Sequence, residues 1–202
     1  MIHPDTELRF INNLKGRGVF STKPIAKGTL TYVKDDLEVV IEADDERLSD
    51  PRYKDLIDTY SFMDHDGKRI VSWDHAKYVN HCCQCNTMST GYGFEIAIRN
   101  IAAGEEITDE YSMFNFPSSI QLHCDKFPCR KSITSHDLKL YHKQWDEIVK
   151  SALNQFQQVD QPLAPFLCNK TEALLNEYLQ NGNHYISVLE LAYQETTENQ
   201  SG

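Results

Sequence analysis

Tyr78-Val79-Asn80-His81-Cys82-Cys83-Gln84-Cys85-Asn86 is the densest run of chemistry-bearing side chains in the chain. An Asn-His pair flanked by Tyr and Val on one side and three cysteines on the other brings hydrogen-bonding, stacking and metal-binding groups within a few residues of each other. A satisfied core histidine is the plain alternative for such a stretch taken alone. About two dozen residues later, Ala97 to Tyr111 reads as a strand, a glycine turn at Gly104, a second strand and then Tyr111. Near the start, Lys15-Gly16-Arg17-Gly18-Val19-Phe20 adds a glycine-bearing turn between apolar runs.

Each block is weak alone, but the three in this order and spacing resemble the SET domain of protein-lysine methyltransferases, over roughly residues 8 to 134. The resemblance implies a mainly β fold with some α: small curved sheets around a knot-like crossing where the motif segment and the Tyr111 segment thread together. It implies S-adenosylmethionine as methyl donor. Carried over residue by residue, it makes Tyr111 the catalytic phenol and places Gly16, Arg17, Gly18, Val19, Tyr60, Asn80, His81, Tyr111 and Phe127 at the donor. Tyr32, Tyr60, Phe62 and Asp109 then line the channel for the substrate lysine. For Tyr32, Tyr60 and Phe62, core packing is an equal alternative, because a strand register slips easily by a residue.

The chemistry suits these residue types. Methyl transfer to an amine is an in-line displacement, so the site must mainly hold sulfonium, methyl and nitrogen in line. A free lysine titrates near ~10.4, and a narrow aromatic pore that strips water from the ammonium favours the neutral, nucleophilic form. Tyrosine rings accept a cation on their faces and their hydroxyls accept or donate hydrogen bonds.

The chain departs from the family in three places. Where relatives carry Asn-His-Ser-Cys-x-Pro-Asn, Cys82 replaces the Ser and Cys85 the Pro. Asp109 stands where many relatives carry Phe or Tyr, and it either points to solvent or faces the ammonium. For zinc, the family's motif cysteine and its Cys-x-Cys-x4-Cys loop match Cys83, Cys124 and Cys129, while Leu122 takes the fourth place. His123, Cys82 and Cys85 are candidates for the missing ligand, and ordinary thiols are the alternative to a metal.

The 202 residues suffice for one domain with an appendage, with a core that needs no disulfide staples. The six cysteines are then expected as thiols or metal ligands in a reducing compartment, the cytoplasm, with nucleus or export to a host cell left open. Met1 to Phe10 lacks the apolar run of a signal peptide, and no segment approaches membrane-spanning length. The formal net charge of −10 argues against direct nucleic-acid binding, which needs a basic face. It suits a basic protein partner, or simply solubility.

Strands are expected at Leu8 to Ile11, Val19 to Ser21, Thr29 to Val33 and Leu37 to Ile41, then a helical insert over about 44–58 and a hairpin, Tyr60 to Met63 and Arg69 to Trp73, turning at Asp64-Gly67. Asn115 to Ser119 and Cys124 to Arg130 read as loop. The expected organisation is a SET domain over 1–118, a reduced post-SET-like loop over 119–134 and a helical extension over 135–202. In the extension, a helix capped by Ser135 carries Leu138, Tyr141, Trp145, Ile148, Val149, Ala152, Leu153 and Phe156 on one face. A second starts at Asn169 with Glu172 completing a capping box, and the chain after Gln194 reads as a frayed polar end. The two helices either pack on the domain or form a homodimer.

The leading expectation is a compact, minimal or microbial protein-lysine N-methyltransferase acting on histone or another basic protein. The alternatives are an idle SET-like module that binds a lysine-bearing peptide or partner, and a methyltransferase acting on a small amine.

Overall fold

The computed structural model describes residues 1–116, 119–124 and 126–194. Pro117, Ser118 and Asp125, which fall in segments read as loop, and the expected frayed end after Gln194 lie outside the described residues. In chain order the strands are β1 (Thr6–Asn12), β2 (Gly16–Ser21), β3 (Leu30–Val33), β4 (Val39–Ile41), β5 (Ser61–Met63), β6 (Arg69–Val71), β7 (Asn80–His81), β8 (Thr87–Ser89), β9 (Phe94–Ala97), β10 (Glu106–Asp109), β11 (Ile120–Gln121) and β12 (Ser132–Ile133). The helices are α1 (Lys54–Tyr60), α2 (Asp137–Leu153) and α3 (Asn169–Asn181).

The strands form four small sheets, ordered β1-β2-β10-β7, β3-β9-β8, β4-β6-β5 and β11-β12. In the first sheet, Val19 of β2 stands opposite both Leu8 and Ile107, and Val19 and Ile107 share a small core with Ile25, Ala97 and Ile101. β7 pairs with β10 in parallel, Asn80 beside Thr108 and His81 beside Asp109. The resemblance puts the threading of the chain at these two segments, and there they lie side by side. Buried Asn86 fastens the junction: its amide donates to Glu106 O at 2.8 Å and its oxygen accepts from Thr108 N–H at 2.9 Å. A buried side-chain amide satisfied by backbone on both ends replaces ladder bonds that two-residue strands cannot supply.

The larger core joins the β3-β9-β8 sheet to the C-terminal helices. Leu30, Met88, Phe94 and Ile96 pack with Trp145, Val149, Ala152 and Leu153 of α2, and with Leu163, Leu175 and Val188. Each such side chain contributes about 1.5–3 kcal/mol on leaving water. Most of the apolar stripe of α2 is therefore covered by its own chain, and Tyr141 stays exposed. Asp146 holds the return of the tail, accepting from Tyr185 Oη (2.9 Å), Ser187 Oγ (2.7 Å) and Val188 N–H (2.9 Å).

Several local expectations need correcting. The first strand of the Tyr111 block is Phe94–Ala97; residues beyond it make only the bridge of Ile101 with Ile25. The insert is a short turn, Glu46–Leu48, capped by Asp45, followed by α1; Tyr60 ends that helix instead of opening a strand. α2 begins at Asp137 without a Ser135 cap, because Thr134 Oγ1 donates to the Asp137 carboxylate and takes over the turn. Phe156 lies beyond α2 in a separate turn. At α3 the Cys168 sulfur accepts from Thr171 N–H, so Cys168 is the cap and Asn169 is already helical. Residues 119–134 are not all loop, since β11 and β12 pair there. Among the described residues no helix is long and apolar enough to cross a membrane.

Candidate active site

The parallel pairing of β7 and β10 delivers His81 and Tyr111 to one place. Tyr111 N–H donates to His81 Nδ1 at 3.2 Å, and its hydroxyl donates to Val79 O at 2.6 Å. Burial lowers the His81 pKa, so the ring is neutral, and an accepting Nδ1 leaves the proton on Nε2, 3.4 Å from Cys83 Sγ. Burial pushes the Tyr111 phenol well above its ordinary range, so it acts as a fixed neutral donor.

Tyr111 forms part of the wall of two cavities. One, of about 200 Å³, is lined by Tyr32, Tyr60, Phe62, Glu95, Asp109 and Tyr111 among others. The other, also about 200 Å³, is lined by Lys15, Asn80, His81, Tyr111, Leu122 and His123 among others. All four expected channel residues thus share one cavity with Tyr111, and Asn80 and His81 share the other. Tyr60 stands on the channel side, edge-on to Tyr78 at 5.3 Å. Phe62 stacks on Phe114 at 5.3 Å, and Phe114 packs against the Tyr111 ring at 5.6 Å. Tyr32 is buried, donating to Glu38 Oε1 at 2.8 Å and accepting from Ser72 Oγ at 3.3 Å.

Asp109 is fully buried and does not point to solvent. Its Oδ1 accepts from Glu110 N–H at 2.7 Å, and Ser89 Oγ lies 3.5 Å from Oδ2. Beside it in the cavity is Glu95, on the central strand β9 between Tyr32 and Ser89 in register, a residue that sequence reasoning passed over. Strand alternation marks Glu95 only as pointing away from the Phe94 and Ile96 side chains; the cavity there becomes visible only with the pairing.

The glycine block sits differently. Gly16, Arg17, Gly18 and Val19 form β2, and none lines either cavity. Val19 is wholly buried in the smaller core. Gly18 leaves room for protein atoms: a Cβ there would lie 2.9 Å from Asn80 Nδ2 and from Glu106 Oε1. The Asn80 amide uses that room to donate to Arg17 O (3.0 Å) and Glu106 Oε1 (2.9 Å), tying the motif to β2 and β10. Phe127 is 92% exposed, and its carbonyl accepts from Gln84 Nε2 at 2.7 Å.

The thiols of Cys83, Cys124 and Cys129 lie within 4.8 Å of one another, Cys83 and Cys129 at 3.6 Å. With Zn–S near ~2.3 Å, tetrahedral thiolates stand about 3.8 Å apart, so this spacing suits three corners of a zinc site. None of His123, Cys82 and Cys85 joins the group among the described residues, although Cys82 Sγ is 3.9 Å from Cys124 Sγ. Burial pushes the Cys83 thiol up to about 11, so without a cation it stays protonated. Next to the cluster, Arg130 pairs with buried Glu110 (2.5 Å) and with Asp137 (3.3 Å).

Small sheets that carry an Asn-His segment paired to a tyrosine segment, with a phenol between two cavities, agree with what the resemblance implies, and the SET-domain family model matches residues 16–112. The chain carries that match over a little under half of its length. It is 29% identical over 134 residues to the histone-lysine N-methyltransferase trithorax of Drosophila melanogaster, which covers 60% of this chain and 4% of the relative. It is 34% identical over 140 residues to the histone-lysine N-methyltransferase ash1 of the same organism, covering 60% of this chain and 6% of the relative. The chain thus spans only a small fraction of the length of these curated relatives. Among solved structures, the methyltransferase domain of human histone-lysine N-methyltransferase SETMAR aligns with 66% of this chain and 58% of that chain, at 15% identity and a TM-score of 0.41.

Proposed function

We propose that this protein transfers a methyl group from S-adenosylmethionine to the side-chain amine of a lysine in a basic protein, histone or other. One observation carries the reading: Tyr111 is wall to both the aromatic, carboxyl-bearing cavity and the cavity of Asn80 and His81. Bound in the second cavity, S-adenosylmethionine supplies an electrophilic methyl group. The residues there fit it, since Lys15 suits its carboxylate, and Leu14 and Leu122 offer apolar surface to a purine.

On the other side, the rings of Tyr60, Phe62 and Tyr111 favour a cationic head and exclude water around it. The Tyr111 hydroxyl, held by Val79 O, keeps its oxygen in a fixed place and costs no reorganisation during transfer. His81 holds the Tyr111 backbone and Asn80 holds β2, which keeps the two in register with each other. A net charge of −10 speeds encounter with a lysine-rich acceptor. The three thiols would hold zinc beside His81, whose Nε2–H meets Cys83.

The test is incubation with methyl-labelled S-adenosylmethionine and core histones, ribosomal proteins or cell lysate. Labelled lysine from the wild-type chain and a large loss with Tyr111→Phe are expected. Donor binding by calorimetry without label in any acceptor would instead fit an idle binding module, and label on small amines alone would exclude a protein substrate.

A further inference from the structure

The cavity that holds Tyr111 contains two carboxyl groups that form no ion pair among the described residues. Of its other titratable groups, Asp58 pairs with Lys54 and Arg69. Lys77 gives its ammonium to the carbonyls of Ser72, Trp73 and Asp74. Tyr32 donates to Glu38 and Tyr111 to Val79 O. Asp109 and Glu95 have no ion-pair partner among the described residues, although both line the cavity. A carboxylate buried without a cation costs several kcal/mol, a penalty that a bound ammonium would remove.

The geometry points to Asp109, steadied by Glu95, as the group that accepts the proton of the incoming lysine ammonium. This inference rests on the methyltransferase reading and adds a step to it. The Asp109 carboxylate takes one N–H proton, becoming a neutral acid, and the amine keeps the lone pair. That pair forms the new N–C bond as the S–CH₃ bond breaks, leaving a neutral thioether and a methylammonium. The Asp109 proton then leaves to solvent through the cavity.

The surroundings suit the role. From β9, Glu95 faces Asp109, with Tyr32 of β3 beside it and the Met1 ammonium acting on it from the chain start; from β7 comes His81, neutral; from the motif loop come Cys82 and Cys85; and from its own segment Tyr111 and Glu110, the latter neutralised by Arg130. Burial, aided by the Glu110 charge and opposed by the hydrogen bonds of Glu95 and Ser89, pushes Asp109 up to about 7, and burial together with the Asp109 charge pushes Glu95 well above its ordinary value. Near neutrality Glu95 keeps its proton and Asp109 is poised between forms, the condition under which a general base works best. Tyr111, a committed donor, is no rival for the proton.

The test uses n-butylamine as the cation probe, titrated calorimetrically into the full chain at pH 6, 7 and 8 in buffers of different ionisation enthalpy, for wild type, Asp109→Asn and Glu95→Gln. Wild type is expected to bind it with proton release that is largest at pH 6 and fades by pH 8. Asp109→Asn should bind at least about tenfold more weakly without proton release, and its methyl transfer to core histones should fall by on the order of 10²-fold with the acid limb near pH 7 removed. If Asp109→Asn does not fold, Glu95→Gln decides: an amide donates a weaker hydrogen bond to the Asp109 carboxylate than the protonated acid does, so the limb should move to higher pH. Equal binding and release by wild type and Asp109→Asn, an unmoved limb in Glu95→Gln, or no binding of the amine by wild type overturns the inference. S-adenosylmethionine binding, titrated separately, reports on the methyltransferase reading itself, so the two failures are distinguishable.

Discussion

The hydroxyl of Tyr111 donates to the main-chain oxygen of Val79 across 2.6 Å, and Val79 is the residue just before Asn80. The phenol is thereby fixed to the strand that forms the neighbouring cavity. Tyr111→Phe keeps the ring contacts with His81, Phe114 and Phe116 and loses only this bond. The expected cost in stability is about 1 kcal/mol, against a fall in methyl transfer of on the order of 10²-fold. A thermal melt beside a labelling assay separates the two, and comparable transfer by the variant would remove Tyr111 from the chemistry.

Two glycines should respond differently to the same change. A Cβ on Gly91 would sit 2.4 Å from Ser187 O and 2.5 Å from Ile186 O, backbone atoms of the returning tail. Gly91→Ala must push that tail off and is expected to cost roughly 2–3 kcal/mol. At Gly18 the obstacles are side-chain ends, Ile11 Cδ1, Asn80 Nδ2 and Glu106 Oε1, which can swing away. Gly18→Ala should therefore cost less stability while disturbing Asn80, so that S-adenosylmethionine binding weakens more than the melting temperature drops. Chemical denaturation and calorimetry on both variants check the order.

Asp109 also links stability to pH. Its folded-state pKa, raised to about 7, lies above the unfolded value near ~3.9, so its favourable contribution is complete below the unfolded value and is lost as pH rises through about 7. Asp109→Asn escapes that loss. Relative to wild type, the variant should gain stability between about pH 4 and pH 7, by roughly 2–4 kcal/mol at the plateau, and nothing further above it. Melting temperatures across this range give the answer; a difference independent of pH would mean the carboxyl is not strained by burial.

Three thiols close together, with no fourth partner among the described residues, predict a labile metal. Protein purified without added zinc should carry less than one equivalent and give it up to a modest excess of chelator, with a lowered melting temperature. Cys124→Ser should abolish binding. One full equivalent retained against excess chelator would indicate a closed site and a ligand that has been overlooked.

Much of this arrangement is written locally. β-branched runs such as Thr29 to Val33 and the Asp64-Gly67 turn announce strands and a hairpin, and the Asn80-His81 and Tyr111 blocks carry the site. What is not legible depends on partners remote in sequence. β7, β11 and β12 are two residues long and have no periodicity to detect. Asn86 looks like the polar end of a motif until Glu106 and Thr108 close on it. Glu95 gains meaning only from its cross-strand neighbours Tyr32 and Ser89. The helix caps each shifted by one residue, from Ser135 to His136 and from Asn169 to Cys168, because the Thr134–Asp137 hydrogen bond set the first turn and a cysteine sulfur capped the second where Ser and Asn were the better statistical choices.

The parallel contact of Asn80 with Thr108 and His81 with Asp109 also sets an order of events during synthesis. A nascent chain that has emerged only as far as the motif has no docking strand for it, and closing so long a loop is entropically dear, so the His81–Tyr111 site should be among the last regions to become protected. Pulse-labelled amide exchange during refolding would see the hairpin of β5 and β6 protected before His81, making the site an assembly checkpoint for the whole domain.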